Sequence, residues 1–260
     1  MVKNDETNKK SKSKGRSSIR RVNRDIVGEL LAQYFDEVSE ALGLKDLVSN
    51  EGFQREIVRE VLELVVHSTT SKPSIDVLLR RIESNRKSIN KLISTKILES
   101  TNKFTAEQLD FIISHGEEAV IPFISEIYRE LIKSSRIELI DALKYVWEKY
   151  GRPTLVQCPK CGFRSIMPDY SCTICGYSVT ENYVREQLSF SALFEDYVRT
   201  ASIAELREVL DAGFVIVSES GLYSPRSKAV SSLKTFYPIY LVGKEISFII
   251  SEMSSREQEI

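Results

Sequence analysis

The sequence predicts a mainly α protein with a helical N-terminal domain, a central four-cysteine module and a small α+β C-terminal domain. Three observations predict it. Apolar residues recur at three- and four-residue steps from Asp25 to Tyr150. All four cysteines of the 260-residue chain fall between positions 158 and 175. After Gly213 the pattern changes to a β-type run, Phe214-Val-Ile-Val217. The expected boundaries are 1–21 for a disordered basic tail, 22–151 for the helical domain, 152–179 for the cysteine module and 180–260 for the C-terminal domain.

The tail is Lys/Ser/Asn-rich and nearly free of large apolar side chains, so it buries too little surface to offset the entropy of ordering. Residues 1–24 hold nine Lys/Arg against Asp5 and Glu6. That leaves 27 of the 36 basic and 35 of the 37 acidic residues for the rest of the chain. The net charge of −1 therefore hides a basic segment on an acidic body, and such a segment can approach a polyanion that the body repels. No uncharged apolar run is long enough for a membrane span, and the basic start has no apolar stretch behind it of the secretory type. The expectation is a cytoplasmic protein with no membrane partner.

In the helical domain, Ile26, Leu30, Leu31, Tyr34, Phe35, Val38 and Leu42 form the first stripe, and Gly43 is its stop. A second helix covers about 51–67; Val58, Leu62 and Val66 widen its apolar face, which implies burial on more than one side. A third starts after Ser74 and carries Leu78, Ile82, Ile89 and Ile93. A fourth opens at Thr105 with a capping box, Thr105-Ala-Glu-Gln108. Residues 117–133 predict a broad apolar helix interrupted by Pro122. The last opens with a second box, Ser135-Arg-Ile-Glu138, and stops at Gly151. His115 to Gly151 resembles a single helical-hairpin repeat of the HEAT type, whereas a solenoid needs several.

The cysteines read Cys158-Pro-Lys-Cys161-Gly162 and Cys172-Thr-Ile-Cys175-Gly176. Two residues between cysteines let one tight turn present both sulfurs to one ion. Gly162 and Gly176 let the backbone turn back, and ten residues between the pairs suit a short hairpin that sets one pair opposite the other. Four thiolates suit tetrahedral zinc; iron in a rubredoxin-type site, or an iron–sulfur centre, uses related spacing. The motif resembles the zinc-ribbon family over about residues 155–179, so the central module is expected to be a C4 zinc ribbon holding one structural zinc. Four protein ligands leave no open position for a substrate or an activated water.

After the ribbon, Thr180 opens a helix to about Arg199, and Ser202-Ile-Ala-Glu205 caps a short helix ending at Gly213. A hairpin turns at Glu219-Ser-Gly221, a strand covers 235–242 with Pro238 arguing for an edge, and an apolar run spans Ile246 to Ile250. The order helix-then-hairpin invites a winged-helix reading. Glu205, Glu208 and Asp211 against Arg207 alone would repel phosphates and argue against it.

No catalytic set emerges. His67 and His115 sit at helix ends, and no glycine-rich phosphate loop occurs, so the expectation is not an enzyme and no small-molecule substrate is evident. The candidate nucleic-acid contacts are Lys9, Lys10, Lys12, Lys14, Arg16, Arg20 and Arg21 in the tail. Arg81, Lys87 and Lys91 join them on a basic helix at 80–96, where they are expected to face solvent. In the ribbon, Lys160, Arg164 and Arg152 accompany Phe163, Tyr170 and Tyr177, aromatics that either cover the small core or stack on bases. Two functions follow: a zinc-ribbon accessory factor associated with DNA or RNA, or a protein adaptor, alone or as a dimer, with no direct sequence-specific nucleic-acid contact.

Overall fold

The computed structural model describes residues 14–66, 71–101 and 103–258, with side chains from Ile26 onward. The first thirteen residues of the predicted tail, and His67, lie outside the described residues. The protein is mainly α with one small antiparallel sheet near its C-terminus, and it divides into two compact units. The first runs to Phe123 and includes Ser134–Leu139; the second comprises Ile124–Lys133 and the chain from Ile140 onward. The helices on either side of Ser134–Leu139, read from the sequence as the close of the helical domain, therefore group with the ribbon.

In the first unit α1 spans Lys14–Leu42, so helical backbone begins before Asp25 and includes positions 14–21, where disorder was expected. Val27, Leu30, Val38 and Leu42 on its inner stripe are buried. Gly43 takes a left-handed φ of 68° and ends the helix. The short α2 (Leu44–Leu47) leads to α3 (Glu51–Val66), where Val58, Leu62 and Val66 are all buried beside the main stripe, in keeping with its wide apolar face.

The single helix expected after Ser74 is two helices, α4 (Ile75–Ser84) and α5 (Arg86–Ser100). They break at Asn85, whose φ of −110° and ψ of 14° are not helical. Its side-chain amide donates to the Arg81 carbonyl at 2.8 Å, so a short polar side chain closes α4 from within the sequence. The Thr105–Gln108 capping box forms in full at α6 (Ala106–His115). The stretch around Pro122 is a 3-10 segment, Glu117–Phe123, because the ring supplies no amide for an α-helical bond.

The second expected box does not form. Ser135 is left-handed, with φ of 59°, and Glu138 turns to Arg136, whose guanidinium also grips both oxygens of Asp110 at 2.9 and 2.8 Å. The Arg136 guanidinium takes the Glu138 carboxylate that the box would have used.

The second unit begins with α7 (Ile124–Lys133) and α8 (Ile140–Tyr150), which pack on each other. The cysteine segment follows. The helix expected from Thr180 to Arg199 breaks at Ser189, where φ is 52°, into α9 (Glu181–Gln187) and α10 (Phe190–Thr200). Next come α11 (Ile203–Ala212), with its Ser202–Glu205 box intact, and Gly213 at φ 77°. The strands β1 (Phe214–Ser218), β2 (Gly221–Tyr223) and β3 (Phe236–Tyr240) form an antiparallel sheet in the order β2-β1-β3. Ile216 faces Tyr223 on one side and Pro238 on the other, so Pro238 lies on an edge strand as expected. α12 (Gly243–Gln258) packs on α10 and α11, burying Ile249.

Candidate metal centre

The chain enters the centre through two matched turns. In the first, Gly162 N–H donates to the Cys158 carbonyl at 2.9 Å and Cys158 N–H to the Phe163 carbonyl at 2.8 Å. In the second, Gly176 N–H donates to the Cys172 carbonyl at 2.9 Å and Cys172 N–H to the Tyr177 carbonyl at 2.8 Å. Both glycines hold positive φ, 77° and 71°, a conformation that costs a side-chain-bearing residue about 1 kcal/mol or more. The same local chemistry, written twice in the sequence, thus folds twice. The expected hairpin between the pairs is reduced to one isolated bridge, Ile166 with Cys172, and a further bridge spans each turn, Gln157 with Arg164 and Ser171 with Ser178.

The turns bring Cys158, Cys161, Cys172 and Cys175 together, with all four sulfurs within 4.8 Å of one another. Cys158 and Cys175 Sγ are 3.7 Å apart, Cys161 and Cys172 Sγ 3.6 Å. A disulfide needs about 2.05 Å. A tetrahedral ion with metal–sulfur bonds of about 2.3 Å spaces its sulfurs about 3.8 Å apart, which these separations fit. Three of the cysteines are buried and Cys175 is partly so.

The electrostatics also suit a cation. The Cys172 sulfur is drawn down to about 4 by its hydrogen bond with Cys161, against its burial, with help from the Cys175 amide and the Ser165 hydroxyl. Its neighbours move the other way. Cys161 is raised by its bond with Cys172 and by burial, and Cys175 is pushed up to about 11, chiefly by burial. Buried sulfurs this close cannot all ionise unless a positive ion sits among them.

The centre is held from several sides of its unit. Trp147 on α8 donates Nε1–H to the Arg164 carbonyl at 2.9 Å, and Ser125 on α7 donates to the Thr173 carbonyl at 2.9 Å. The Tyr128 ring meets Phe163 edge-on at 5.7 Å. Tyr183 on α9 donates to Gln157, and the fully buried Tyr237 on β3 donates to Ile166. None of these supports was identified from the sequence. Trp147, as the only tryptophan, carried a composition signal, whereas nothing local connects Tyr237 with a position 71 residues earlier.

The ribbon aromatics divide. Phe163 is core, and Tyr170 donates to the Pro238 carbonyl at 2.7 Å, with its phenol pushed up to about 12 by burial and by Glu181. Tyr177 is exposed, with the Lys160 ammonium 5.8 Å from its ring centre.

Of the predicted nucleic-acid contacts, Lys9, Lys10 and Lys12 lie outside the described residues. Lys14, Arg16, Arg20 and Arg21 lie in α1, in the stretch described by backbone alone. Lys87 is exposed, as expected, whereas the solvent-facing reading of Arg81 and Lys91, both half-buried, is corrected. Arg81 is half-buried and donates to the Val65 carbonyl at 3.1 Å, closing the end of α3. Lys87 pairs with Glu117 at 2.8 Å, and Lys91 pairs with Glu118. Further along α5, Lys96 lies between Glu56 and Glu60. Neighbouring segments thus supply partners for Arg81, Lys87, Lys91 and Lys96 in a stretch that reads as basic on its own. His115 packs its ring edge-on against Phe111 at the end of α6.

No known family model matches this chain, and neither a curated protein nor a solved structure is significantly similar to it. Among the described residues, no helix is long and apolar enough to cross a membrane.

Proposed function

We propose that this protein is a non-catalytic accessory factor, stabilised by one structural zinc, that associates with nucleic acid through its basic N-terminal segment rather than through its folded body. The observation that carries the reading is the distribution of positive charge. On α4 and α5 the cations Arg81, Lys87, Lys91 and Lys96 already have carbonyl or carboxylate partners. Residues 1–24, by contrast, concentrate nine cations against two acids. A segment of that kind gives salt-sensitive affinity for phosphates without sequence discrimination.

The four thiolates form a closed site of the kind structural zinc takes; rubredoxin-type iron uses the same donors, and metal analysis separates the two. Elemental analysis of the purified protein should return close to one zinc per chain; finding iron or no metal rejects that part. Gel-shift titration at two salt concentrations tests the rest. The full chain should bind, with affinity falling steeply as salt rises, and deletion of residues 1–24 should remove binding. Undiminished binding by the truncated chain rejects the assignment.

A second reading, a protein adaptor, is favoured by one observation. Tyr240, Val242, Ile246 and Ile250 are exposed near the C-terminus, and the last three recur at four-residue steps on one side of α12 and its entry. An apolar stripe in water is the ordinary mark of a protein contact. Concentration-dependent sedimentation that Ile250→Glu abolishes would favour this reading.

A further inference from the structure

The second unit contains a cleft of about 370 Å³ that plays no part in the metal centre. It lies between the start of the ribbon, the β1–β2 turn and the loop before β3. Two cations meet there, Arg164 and Lys234, with hydroxyl groups from Ser220 and Thr235 and the carboxylate residue Glu219. Pro153, Leu155 and Leu233 supply an apolar wall. The volume falls in the range of small-ligand sites, and the mixture of an apolar wall with a few polar groups is what such sites present.

The polar groups are arranged unequally. Arg164 is held in place: its Nε donates to the Thr154 carbonyl at 2.9 Å, and Nη1 lies 3.7 Å from Glu148. Those contacts fix the guanidinium plane and leave Nη2 without a partner among the described residues. Lys234 is exposed and makes no ion pair among the described residues. Tyr223 donates its phenolic hydrogen to Ser220 Oγ at 2.8 Å, which sets that hydroxyl in position. One free arginine amine, an exposed ammonium and nearby hydroxyls offer donors from several directions, which suits the several oxygens of a phosphoryl group better than the two of a carboxylate. The Glu219 carboxylate accepts hydrogen bonds, so it suits the hydroxyls of a sugar.

We propose that this cleft binds a phosphorylated, hydroxyl-bearing small molecule of nucleoside-monophosphate size. The phosphoryl group lies against Arg164 and Lys234, the sugar hydroxyls toward Glu219, and the ring against the apolar wall. This proposal is independent of whether the N-terminal segment contacts nucleic acid.

Titration of the full-length, metal-loaded protein with adenosine 5′-monophosphate tests it, followed by amide NMR shifts and calorimetry. Saturable binding is expected, with shifts at Ser218, Ser220 and Thr235. Adenosine and inorganic phosphate should each bind at least about tenfold more weakly, since each carries only part of the complement. Lys234→Glu, on an exposed loop, should weaken the monophosphate about tenfold or more at an unchanged melting temperature. Glu219→Gln should weaken the monophosphate through the lost sugar contact and should not weaken inorganic phosphate, which loses only a like-charge neighbour.

The proposal is overturned by any of three results. One is no saturable binding up to about 10 mM, a concentration at which a ligand worth only about 3 kcal/mol would half-fill the site. Another is equal affinity for inorganic phosphate and the monophosphate, which would make the cleft a bare anion patch. The third is displacement of the monophosphate by a single-stranded oligonucleotide at lower concentration, which would place the cleft in a nucleic-acid interface.

Discussion

Tyr237 shows how much one side chain can carry. Its ring is fully buried, and its hydroxyl donates to the Ile166 carbonyl between the two cysteine pairs. Burial raises its phenol above the ordinary range, so it remains a neutral donor at physiological pH. Tyr237→Phe keeps the ring and removes only the donor, leaving a buried carbonyl unsatisfied. It should cost about 1–3 kcal/mol in denaturant unfolding with the metal still bound. A change within a few tenths of a kcal/mol would mean that water reaches that carbonyl. The four ligands were legible in the sequence because their chemistry is local: two cysteines, two spacer residues and a glycine specify each turn without outside help. Tyr237 was not legible, because its partner is fixed only once β3 pairs with β1. Arg81 and Lys91 were misread for the same reason. A single helix shows its own charges but not the Val65 carbonyl or the Glu118 carboxylate that a neighbouring segment brings to them.

At the level of elements, the three capping boxes written in the sequence had two outcomes. Those at Thr105–Gln108 and Ser202–Glu205 form with both reciprocal bonds, whereas the one at Ser135–Glu138 does not. The difference is competition. Glu205 has no cation within ion-pair distance among the described residues and turns back to Ser202, while Glu138 has Arg136 two residues away. Helix breaks follow the same rule. Asn85 and Ser189 interrupt stretches whose apolar period runs on, and in each case a small polar residue takes a backbone conformation that periodicity does not report. Substitutions separate the two kinds of serine. Ser202→Ala should cost about 1 kcal/mol through the lost cap. Ser135→Gly should stabilise the protein by about 0.5–1 kcal/mol, because glycine adopts a φ of 59° without the side-chain penalty. Equilibrium unfolding of the two variants checks both signs, and a destabilised Ser135→Gly would show that its side chain does more than occupy the turn.

For the whole molecule, acid and metal removal should act differently. Hydrogen bonds hold the carboxyls of Glu118, Glu205 and Asp169 below their ordinary values, from Lys91, Ser202 and Ser171 respectively. A depressed carboxyl contributes stability that is complete above its unfolded value near pH 4. That contribution is lost as pH falls through the folded value. Melting temperature should therefore be flat above about pH 5 as far as these groups are concerned and fall below it. A fall that began with rising pH would contradict the assignment. Metal removal should be selective by unit. From the motif alone, Cys158→Ser would unfold only residues 155–179. The structure extends that expectation, because α7, α8, α9 and β3 each bond or pack onto the ribbon through Ser125, Trp147, Tyr183 and Tyr237. A structural zinc contributes on the order of 10–16 kcal/mol, about the whole stability of an ordinary domain, so its loss exceeds what the surrounding helices can supply. The first unit has its own core, with Leu30, Ile57, Val61, Ile82, Ile93 and Ile112 buried within it. Hydrogen exchange on Cys158→Ser should thus show protection lost across α7 through α12 and retained in α3, α5 and α6. Loss confined to 155–179 would mean that the second unit stands without its metal, and loss throughout the chain would mean that the first unit cannot stand without the second.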